Sequence, residues 1–119
     1  MVSKDHSSVL SICIKPSAEL SQRERLMVID VCNEAYAEDF ADWFDLFPQG
    51  THAMGMLGEK LVSHAAWVTR WLQPAGGQLL RTAFVEAVAT APAYQRRGYA
   101  KAVLNALAAQ ITDYDLGAL

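Results

Sequence analysis

One stretch of the chain, residues 79–111, restricts the possible folds most strongly, because a strand, a basic turn and a helix follow one another directly. Residues 79–90 are rich in apolar, β-branched and aromatic side chains, which predicts a buried strand. Pro92 ends this strand, since proline has no N–H to donate to a neighbouring strand. After the turn, apolar residues recur at the spacing of one helix face, at Ala100, Val103, Leu104, Leu107 and Ile111. The stretch therefore predicts a strand–turn–helix unit.

The turn itself, residues 95–100, has the chemistry of an anion-binding loop. The first N–H groups of a helix have no partner within the helix and carry the positive end of its dipole. Gly98 has no Cβ, so an anion can approach the main chain, and Arg96 and Arg97 add two positive charges beside it. These properties favour a phosphate or pyrophosphate site. The alternative is a solvent-exposed turn that happens to be basic.

The pattern Gln95-x-x-Gly98-x-Ala100, between a strand and a helix, resembles motif A of the GNAT N-acetyltransferases. In that family the corresponding turn holds the pyrophosphate of acetyl-coenzyme A (acetyl-CoA). The resemblance implies that the turn binds this cofactor through Gln95, Arg96, Arg97, Gly98, Tyr99 and Ala100. It also assigns the backbone of Val88 and Thr90 to the pantetheine arm and the thioester carbonyl.

The order of the predicted elements agrees with that family. A strand at residues 9–15 precedes a helix that starts at a capping box, Ser21-x-x-Glu24, and a short second helix is predicted at residues 38–47. Three more strands are predicted at residues 51–57, 61–72 and 79–90, and a fifth begins at residue 114. The order β-α-α-β-β-β-α-β predicts an α+β fold of the α/β/α type, with a mixed, mostly antiparallel sheet. We expect one acetyl-CoA-binding domain spanning residues 1–119.

Within the family, the chain is most similar to the aminoglycoside 2′-N-acetyltransferases. The similar stretches are residues 51–53, 63–66, 84–89 and 116–119. GNAT domains normally continue with another helix and two strands, so we expect this chain to be C-terminally truncated. The missing part usually supplies a tyrosine that protonates the leaving thiolate. The apolar edge strand at residues 114–119 would then be uncovered, and we expect it to pair with a second copy in a homodimer.

Glu86 is the candidate general base. It is a carboxylate within an otherwise apolar strand, where a charge is costly unless it is paired. In the aminoglycoside enzymes that the chain resembles, the matching glutamate serves as the base. The alternative is a glutamate that points to solvent beside a strand bulge.

An acidic and aromatic segment follows the first helix. Asp39 matches a substrate-contacting acid in the resembling enzymes, and Glu38, Asp42 and Asp45 would extend an acidic rim for a polyamine sugar. The alternative is a solvated helix face. Aromatic residues at helical spacing usually pack inward, so four of them are interpreted as core: Phe40, Trp43, Phe44 and Phe47.

Other residue types with catalytic or ligand chemistry point to structural roles. His52 and His64 have no neighbours at metal-ligand spacing, so both are interpreted as structural and no metal is predicted. Tyr94 and Tyr114 lie near the predicted site in the sequence, but neither is at the general-acid position of the family.

Composition restricts the partners. The 119 residues are 52% hydrophobic and 19% charged, which indicates a globular chain. A net charge of −3 argues against nucleic-acid binding and favours a cationic partner. The sequence has no apolar run of about 18 residues, so no membrane partner is predicted. Cys13 and Cys32 are predicted to be reduced, buried thiols of a cytoplasmic protein.

Three functions are left open by the sequence. The first is an acetyl-CoA-dependent N-acetyltransferase that acts on a small amine, such as an aminoglycoside or a polyamine. The second is a coenzyme A-binding module without catalysis, and the third is an inactive fragment that persists as an oligomer. Acetyl-CoA binding without turnover over a panel of amines would favour the second.

Overall fold

A computed structural model of the protein describes residues 9–37, 39–40, 50–111, 114 and 116–118. Within this part of the chain the secondary structure comprises five strands and two α-helices. The strands are β1 (Ser11–Pro16), β2 (Thr51–Leu57), β3 (Lys60–Leu72), β4 (Leu80–Thr90) and β5 (Leu116–Ala118). The helices are α1 (Gln22–Tyr36) and α2 (Tyr99–Ala108).

Helix α1 begins at the predicted capping box. The Ser21 side chain accepts the Glu24 N–H at 3.1 Å, and the Glu24 carboxylate accepts the Ser21 N–H at 2.9 Å. The ammonium group of Lys15, on β1, lies 2.9 Å from the same carboxylate. The Ser21 N–H and then Lys15 hold the pKa of Glu24 below its usual value. This ion pair connects the first strand to the start of the helix.

The five strands form one sheet in the order β1-β2-β3-β4-β5. The pairs from β1 to β4 are antiparallel, and β5 runs parallel to β4. A parallel neighbour requires a long crossover, which α2 provides between β4 and β5. The turn between β2 and β3 has only two residues, and its first residue, Gly58, adopts the positive φ of +60° that such a tight hairpin needs.

The two helices cover opposite faces of the sheet. Successive residues of each strand point to alternate faces, so each helix packs against a different set of strand residues. One buried cluster combines α1 with alternate strand residues and includes Val28, Val31, Cys32, Met54, Leu61 and Ala89. The other cluster combines α2 with the intervening strand residues and includes Ala53, Ala65, Val103 and Leu107. The predicted α+β fold, with a mixed and mostly antiparallel sheet between helices, is confirmed.

The strand predictions for the middle of the chain agree with the structure to within one residue at each end. The first strand starts two residues later than predicted, at Ser11. Almost all of the second helix predicted at residues 38–47 lies outside the described residues.

The two cysteines differ in burial. Cys32 is buried in α1, and burial raises the pKa of its thiol to about 12. Cys13 is only half-buried, so the prediction of two buried thiols is wrong for this residue. The reason is its place on β1, which is an edge strand of the described sheet and is covered from one side only.

Candidate functional site

An open groove of about 400 Å³ lies at the N-terminal end of α2, beside the end of β4. Gly98 immediately precedes the helix with a φ of +80°, and a Cβ at this position would meet no atom within 4 Å. The Ala102 N–H donates to the Gly98 carbonyl at 3.1 Å, so the N–H groups of Tyr99, Ala100 and Lys101 precede the first bond of the helix. The groove is lined by Val88, Thr90, Tyr94, Gln95, Arg96, Gly98, Tyr99, Ala100 and Lys101.

The turn that forms this groove is tied to the strand before it. The Gln95 side-chain amide donates to the Thr90 carbonyl at 3.2 Å. Arg96 has a φ of +66°, a left-handed conformation that costs about 1–2 kcal/mol for a residue with a Cβ. Residues held in such conformations are concentrated at functional sites. The turn therefore has a defined shape, and its main chain follows the end of β4 closely.

Most residues predicted to bind the cofactor lie together in this groove. Seven of the eight line it, and the exception is Arg97. The Arg97 guanidinium lies over the ring of Tyr94, 5.4 Å from its centroid. Tyr94 and Lys101 also line the groove; Lys101 was missed by the sequence analysis, although a cation in the first helical turn was the available signal.

Glu86 lies earlier in β4 than the residues that line the groove, on the face of the sheet that α1 covers. Its cross-strand partner is Ala66, and residues paired across two antiparallel strands share a face. Arg70, four cross-strand pairs away on the same face, places its guanidinium 2.6 Å from Glu86 Oε1 and 5.0 Å from the centre of the Phe84 ring. The other carboxylate oxygen, Oε2, is buried with no hydrogen-bond partner among the described residues. The Glu86 side chain is 22% exposed, so it is not a fully solvated surface carboxylate.

A β-bulge separates Glu86 from the groove. Ala66 pairs with Glu86 and His64 pairs with Ala89, so the single residue Ala65 on β3 faces two residues of β4, Ala87 and Val88. Ala87 has a φ of +53°, which is unusual for a residue other than glycine. The bulge makes Glu86 and Ala87 consecutive residues on the same face, after which Val88 packs on the α2 side.

Side chains from other elements bind both carbonyls of the bulge. His64 Nδ1 lies 2.8 Å from the Ala87 carbonyl, and the Cys32 thiol donates weakly to the same oxygen at 3.9 Å. The Tyr36 hydroxyl, at the end of α1, donates to the Val88 carbonyl. The sequence analysis assigned no functional role to Tyr36, and the residue is 45% exposed. No pattern in the sequence marks these contacts, because they join residues far apart in the chain.

Asp39, predicted to contact the substrate, is exposed beyond the C-terminal end of α1. The adjacent Phe40 stacks on the Tyr36 ring with centroids 5.3 Å apart, and its N–H donates to Asn33 Oδ1 at 2.6 Å. Phe40 is half-buried against the α1 cluster, as expected for a core aromatic residue. The remaining acids and aromatic residues of this segment lie outside the described residues: Glu38, Asp42, Trp43, Phe44, Asp45 and Phe47.

The two histidines are fully buried and bonded to each other, with 2.9 Å between His52 Nδ1 and His64 Nε2. In the described part of the chain no three His, Cys, Asp or Glu side chains are grouped to hold a metal ion. Tyr114 contacts Trp67, Thr69 and Arg81 rather than the groove. Among the described helices, none is long and apolar enough to span a membrane.

Comparison with known proteins identifies the family. The model of the acetyltransferase (GNAT) domain family matches residues 20–116. A search of curated protein sequences found no match. The chain belongs to the GNAT acetyltransferase family, whose acyl-CoA N-acyltransferases use acetyl-CoA.

Solved structures with the same fold are distant in sequence. An acyl-CoA N-acyltransferase from Pseudomonas aeruginosa has 16% identity and a TM-score of 0.65, with 85% of this chain and 69% of that chain covered. Eis1 from Mycobacterium abscessus has 24% identity and a TM-score of 0.67, with 85% of this chain but only 25% of that chain covered. An aminoglycoside acetyltransferase from an uncultured soil metagenomic sample has 16% identity and a TM-score of 0.67, with 92% and 76% covered.

Proposed function

We propose that this chain binds acetyl-CoA in the groove at the N-terminus of α2 and transfers its acetyl group to a small amine. The observation that carries the proposal is the continuity of β4. The same strand lines the groove with Val88 and Thr90 and presents Glu86 just before the bulge. A donor held at one end of this segment would therefore have a carboxylate beside its reactive end.

The groove suits a pyrophosphate. Helix N–H groups and the positive end of the helix dipole attract phosphate oxygens, and Arg96 and Lys101 add two positive charges to the lining. The open space at the missing Cβ of Gly98 allows a ligand to contact the main chain. Arg97, whose guanidinium lies over the Tyr94 ring, would contribute positive charge without direct contact with the pyrophosphate. The backbone of Val88 and Thr90 is proposed to hold the pantetheine arm.

Glu86 is proposed as the general base. Acetyl-CoA, when bound, supplies an acetyl group activated as a thioester. Amine attack requires loss of an ammonium proton, and a positioned base typically accelerates such a step by about 10²–10⁴-fold. Arg70 holds Glu86 Oε1, and Oε2 is buried without a hydrogen-bond partner among the described residues, so proton transfer to Oε2 requires a side-chain movement that admits the amine or a water molecule.

The proposed acceptor is an aminoglycoside or another small polyamine. Three observations support this class of acceptor: Asp39 beyond α1, the net negative charge of the chain, and the name of one structural relative, an aminoglycoside acetyltransferase. A cationic acceptor would be attracted to a carboxylate at this position. Asp39 is connected to the β4 bulge by its neighbour Phe40, which stacks on Tyr36.

A non-catalytic coenzyme A-binding module is the second candidate. The observation that favours it is the 2.6 Å contact between Glu86 and Arg70, because an ion pair between β4 and β3 is also what a purely structural carboxylate would make. Both candidates require the groove and differ only in turnover.

Calorimetry with acetyl-CoA, followed by an assay of free thiol release over a panel of amines, tests both candidates. Saturable binding with turnover of one amine class supports the acetyltransferase, and binding without turnover of any amine supports the module. Failure of the folded protein to bind acetyl-CoA would refute both.

A homodimer is proposed as well. β5 is an edge strand of the described sheet, and an exposed strand edge offers N–H and C=O groups to a second copy. Sedimentation of the full chain and of a variant without residues 115–119 tests this proposal. A monomer at micromolar concentration, or a dimer unaffected by the deletion, would reject it.

A further inference from the structure

We propose that His64 is a positioning residue that holds the β4 bulge and thereby sets the orientation of Glu86 and Val88. The proposal rests on the acetyl transfer function proposed above for its catalytic consequence. It rests on the bulge alone for its structural consequence. His64 itself touches neither the groove nor Glu86 in any contact that the structure records.

A chain of hydrogen bonds leads to the bulge from Ser17, which precedes α1, through His52, near the start of β2. Ser17 Oγ lies 2.7 Å from His52 Nε2, His52 Nδ1 lies 2.9 Å from His64 Nε2, and His64 Nδ1 lies 2.8 Å from the Ala87 carbonyl. Ser17 is 2% exposed and both histidines are 0% exposed, so the two bonds among these residues are shielded from water, and the donor to the half-buried Ala87 carbonyl is itself fully buried.

The direction of every bond in this chain follows from its last member. The Ala87 carbonyl only accepts, so His64 Nδ1 carries the proton. Burial lowers the pKa of His64 to about 4, so its ring is neutral and Nε2 is an acceptor. His52 Nδ1 therefore donates to His64, and His52 Nε2 accepts from the Ser17 hydroxyl. The Ser17 hydroxyl also lies 3.0 Å from the Gly50 carbonyl, which accepts the Ser17 N–H at 2.8 Å, so the single hydroxyl proton is shared between this carbonyl and the closer His52 Nε2.

The bulge requires support of this kind. Ala87 holds a left-handed backbone conformation that its side chain disfavours, and Ala65 is the one residue of β3 opposite both Ala87 and Val88. A donor fixed in the core can hold the Ala87 carbonyl in the direction that this conformation requires. The Tyr36 hydroxyl supports the next carbonyl, that of Val88, but from a side chain that is partly exposed.

Loss of the bulge would change which residues reach the site. Side chains alternate along a strand, so removing one extra residue from the pairing turns all preceding or following residues to the other face. Either Glu86 would point toward α2, away from Arg70, or the residues after the bulge would exchange their faces. In both cases the carboxylate and the groove-lining backbone would lose their present relation.

Two substitutions of His64 separate its two nitrogen atoms. In His64→Asn the side-chain amide nitrogen takes the place of Nδ1 and still donates to the Ala87 carbonyl, but the bond to His52 is lost. In His64→Gln the side-chain amide reaches the place of Nε2 and keeps the bond to His52, but the donor to Ala87 is lost. Both variants lose one buried bond, so a purely structural role predicts similar behaviour. Ser17→Ala, which removes the buried contacts of the Ser17 hydroxyl with His52 and the Gly50 carbonyl at the remote end of the chain of bonds, is the control.

Hydrogen exchange of the backbone amides at residues 86–89, without any ligand, is the first readout. We expect His64→Gln to accelerate exchange there, and His64→Asn and Ser17→Ala to leave it close to wild type. The second readout is the kinetics of acetyl transfer. We expect kcat to fall at least about tenfold in His64→Gln with a smaller change in KM, because small displacements of a catalytic group are costly. His64→Asn should restore most of this loss.

Equal exchange at residues 86–89 in the two His64 variants would overturn the proposal. If wild-type protein shows no turnover, the acetyl transfer function fails, and the exchange comparison still decides the role of His64. If His64→Gln does not fold, His64→Asn decides alone: exchange like wild type supports the proposal, and accelerated exchange at the bulge overturns it.

Discussion

The groove at the N-terminus of α2 and the bulge in β4 are neighbours on one stretch of chain but are built in different ways. The groove is made from residues of one short stretch of chain, 88–101, its main chain is open to solvent, and Arg96, Lys101 and Arg97 lie in or beside it. The bulge is held by side chains from α1 and β3, and one of them, His64, is buried completely. The first region uses local sequence, whereas the second uses residues that only the fold brings together.

This difference separates two tasks. Binding a phosphate needs N–H groups, a dipole and positive charge, which a single turn supplies wherever it is placed. Orienting a carboxylate and a strand backbone relative to each other needs a rigid support, because catalysis is sensitive to small displacements. Changes in the groove should therefore alter affinity, and changes at the bulge should alter turnover.

Glu86→Gln should cause the largest change. The substitution keeps the shape of the side chain but removes the base and its charge, so kcat should fall by about 10²–10⁴-fold. Affinity for acetyl-CoA should change little, because Glu86 does not line the groove. Steady-state kinetics with calorimetry checks both parts. Equal kcat values in the two proteins would show that Glu86 is not the base.

Gly98→Glu should nearly abolish acetyl-CoA binding. A carboxylate would repel the phosphates and a Cβ is disfavoured at a φ of +80°, so we expect at least about 100-fold weaker affinity, or about 2.8 kcal/mol. Gly76→Glu is the matched control, since Gly76 has a φ of +73° and equally open surroundings but lies in the β3–β4 turn. Equal affinities of the two variants for acetyl-CoA would show that the groove does not bind the pyrophosphate.

Acidification should lower the free energy of unfolding of the protein through its two buried histidines. Burial, followed by the charges of His64 and Arg25, lowers the pKa of His52 to about 3, and burial lowers that of His64 to about 4. Below pH 6.5 the unfolded chain binds protons that the folded protein does not. The free energy of unfolding should therefore fall as pH decreases from 6.5 toward 4, by up to about 1.4 kcal/mol per pH unit for each histidine.

Urea denaturation at several pH values measures this slope. His64→Asn has one titrating histidine fewer and should show a smaller slope over the same range. A wild-type stability that does not vary between pH 6.5 and 4.5 would contradict the buried, neutral histidine pair.

Arg97→Ala should have the smallest effect. Arg97 stands over Tyr94 outside the lining of the groove, and an exposed charge pair contributes about 0.2–1 kcal/mol, so affinity should fall at most about fivefold. The loss should shrink as salt is added. A decrease as large as that of Gly98→Glu would place Arg97 in direct contact with the cofactor.

Local patterns in the sequence predicted the elements near the groove well. The capping box placed the start of α1, Pro92 placed the end of β4, and the spacing after Gly98 placed α2. The contacts of Glu86 with Arg70, and of Val88 with Tyr36, were not predicted, because residues 16 and 52 positions apart approach each other only in the folded protein.

The sequence by itself determined the family, the order of the strands and helices, and the turn that lines the groove, since each depends on residues close together in the chain. Only the tertiary structure decided which face Glu86 occupies and what holds it there. One extra residue in β4 reverses the alternation of side chains, and the residue that causes it, Ala87, has no distinctive chemistry of its own. His64, on the neighbouring strand β3, binds the Ala87 carbonyl and maintains this conformation, which no spacing along the chain reveals.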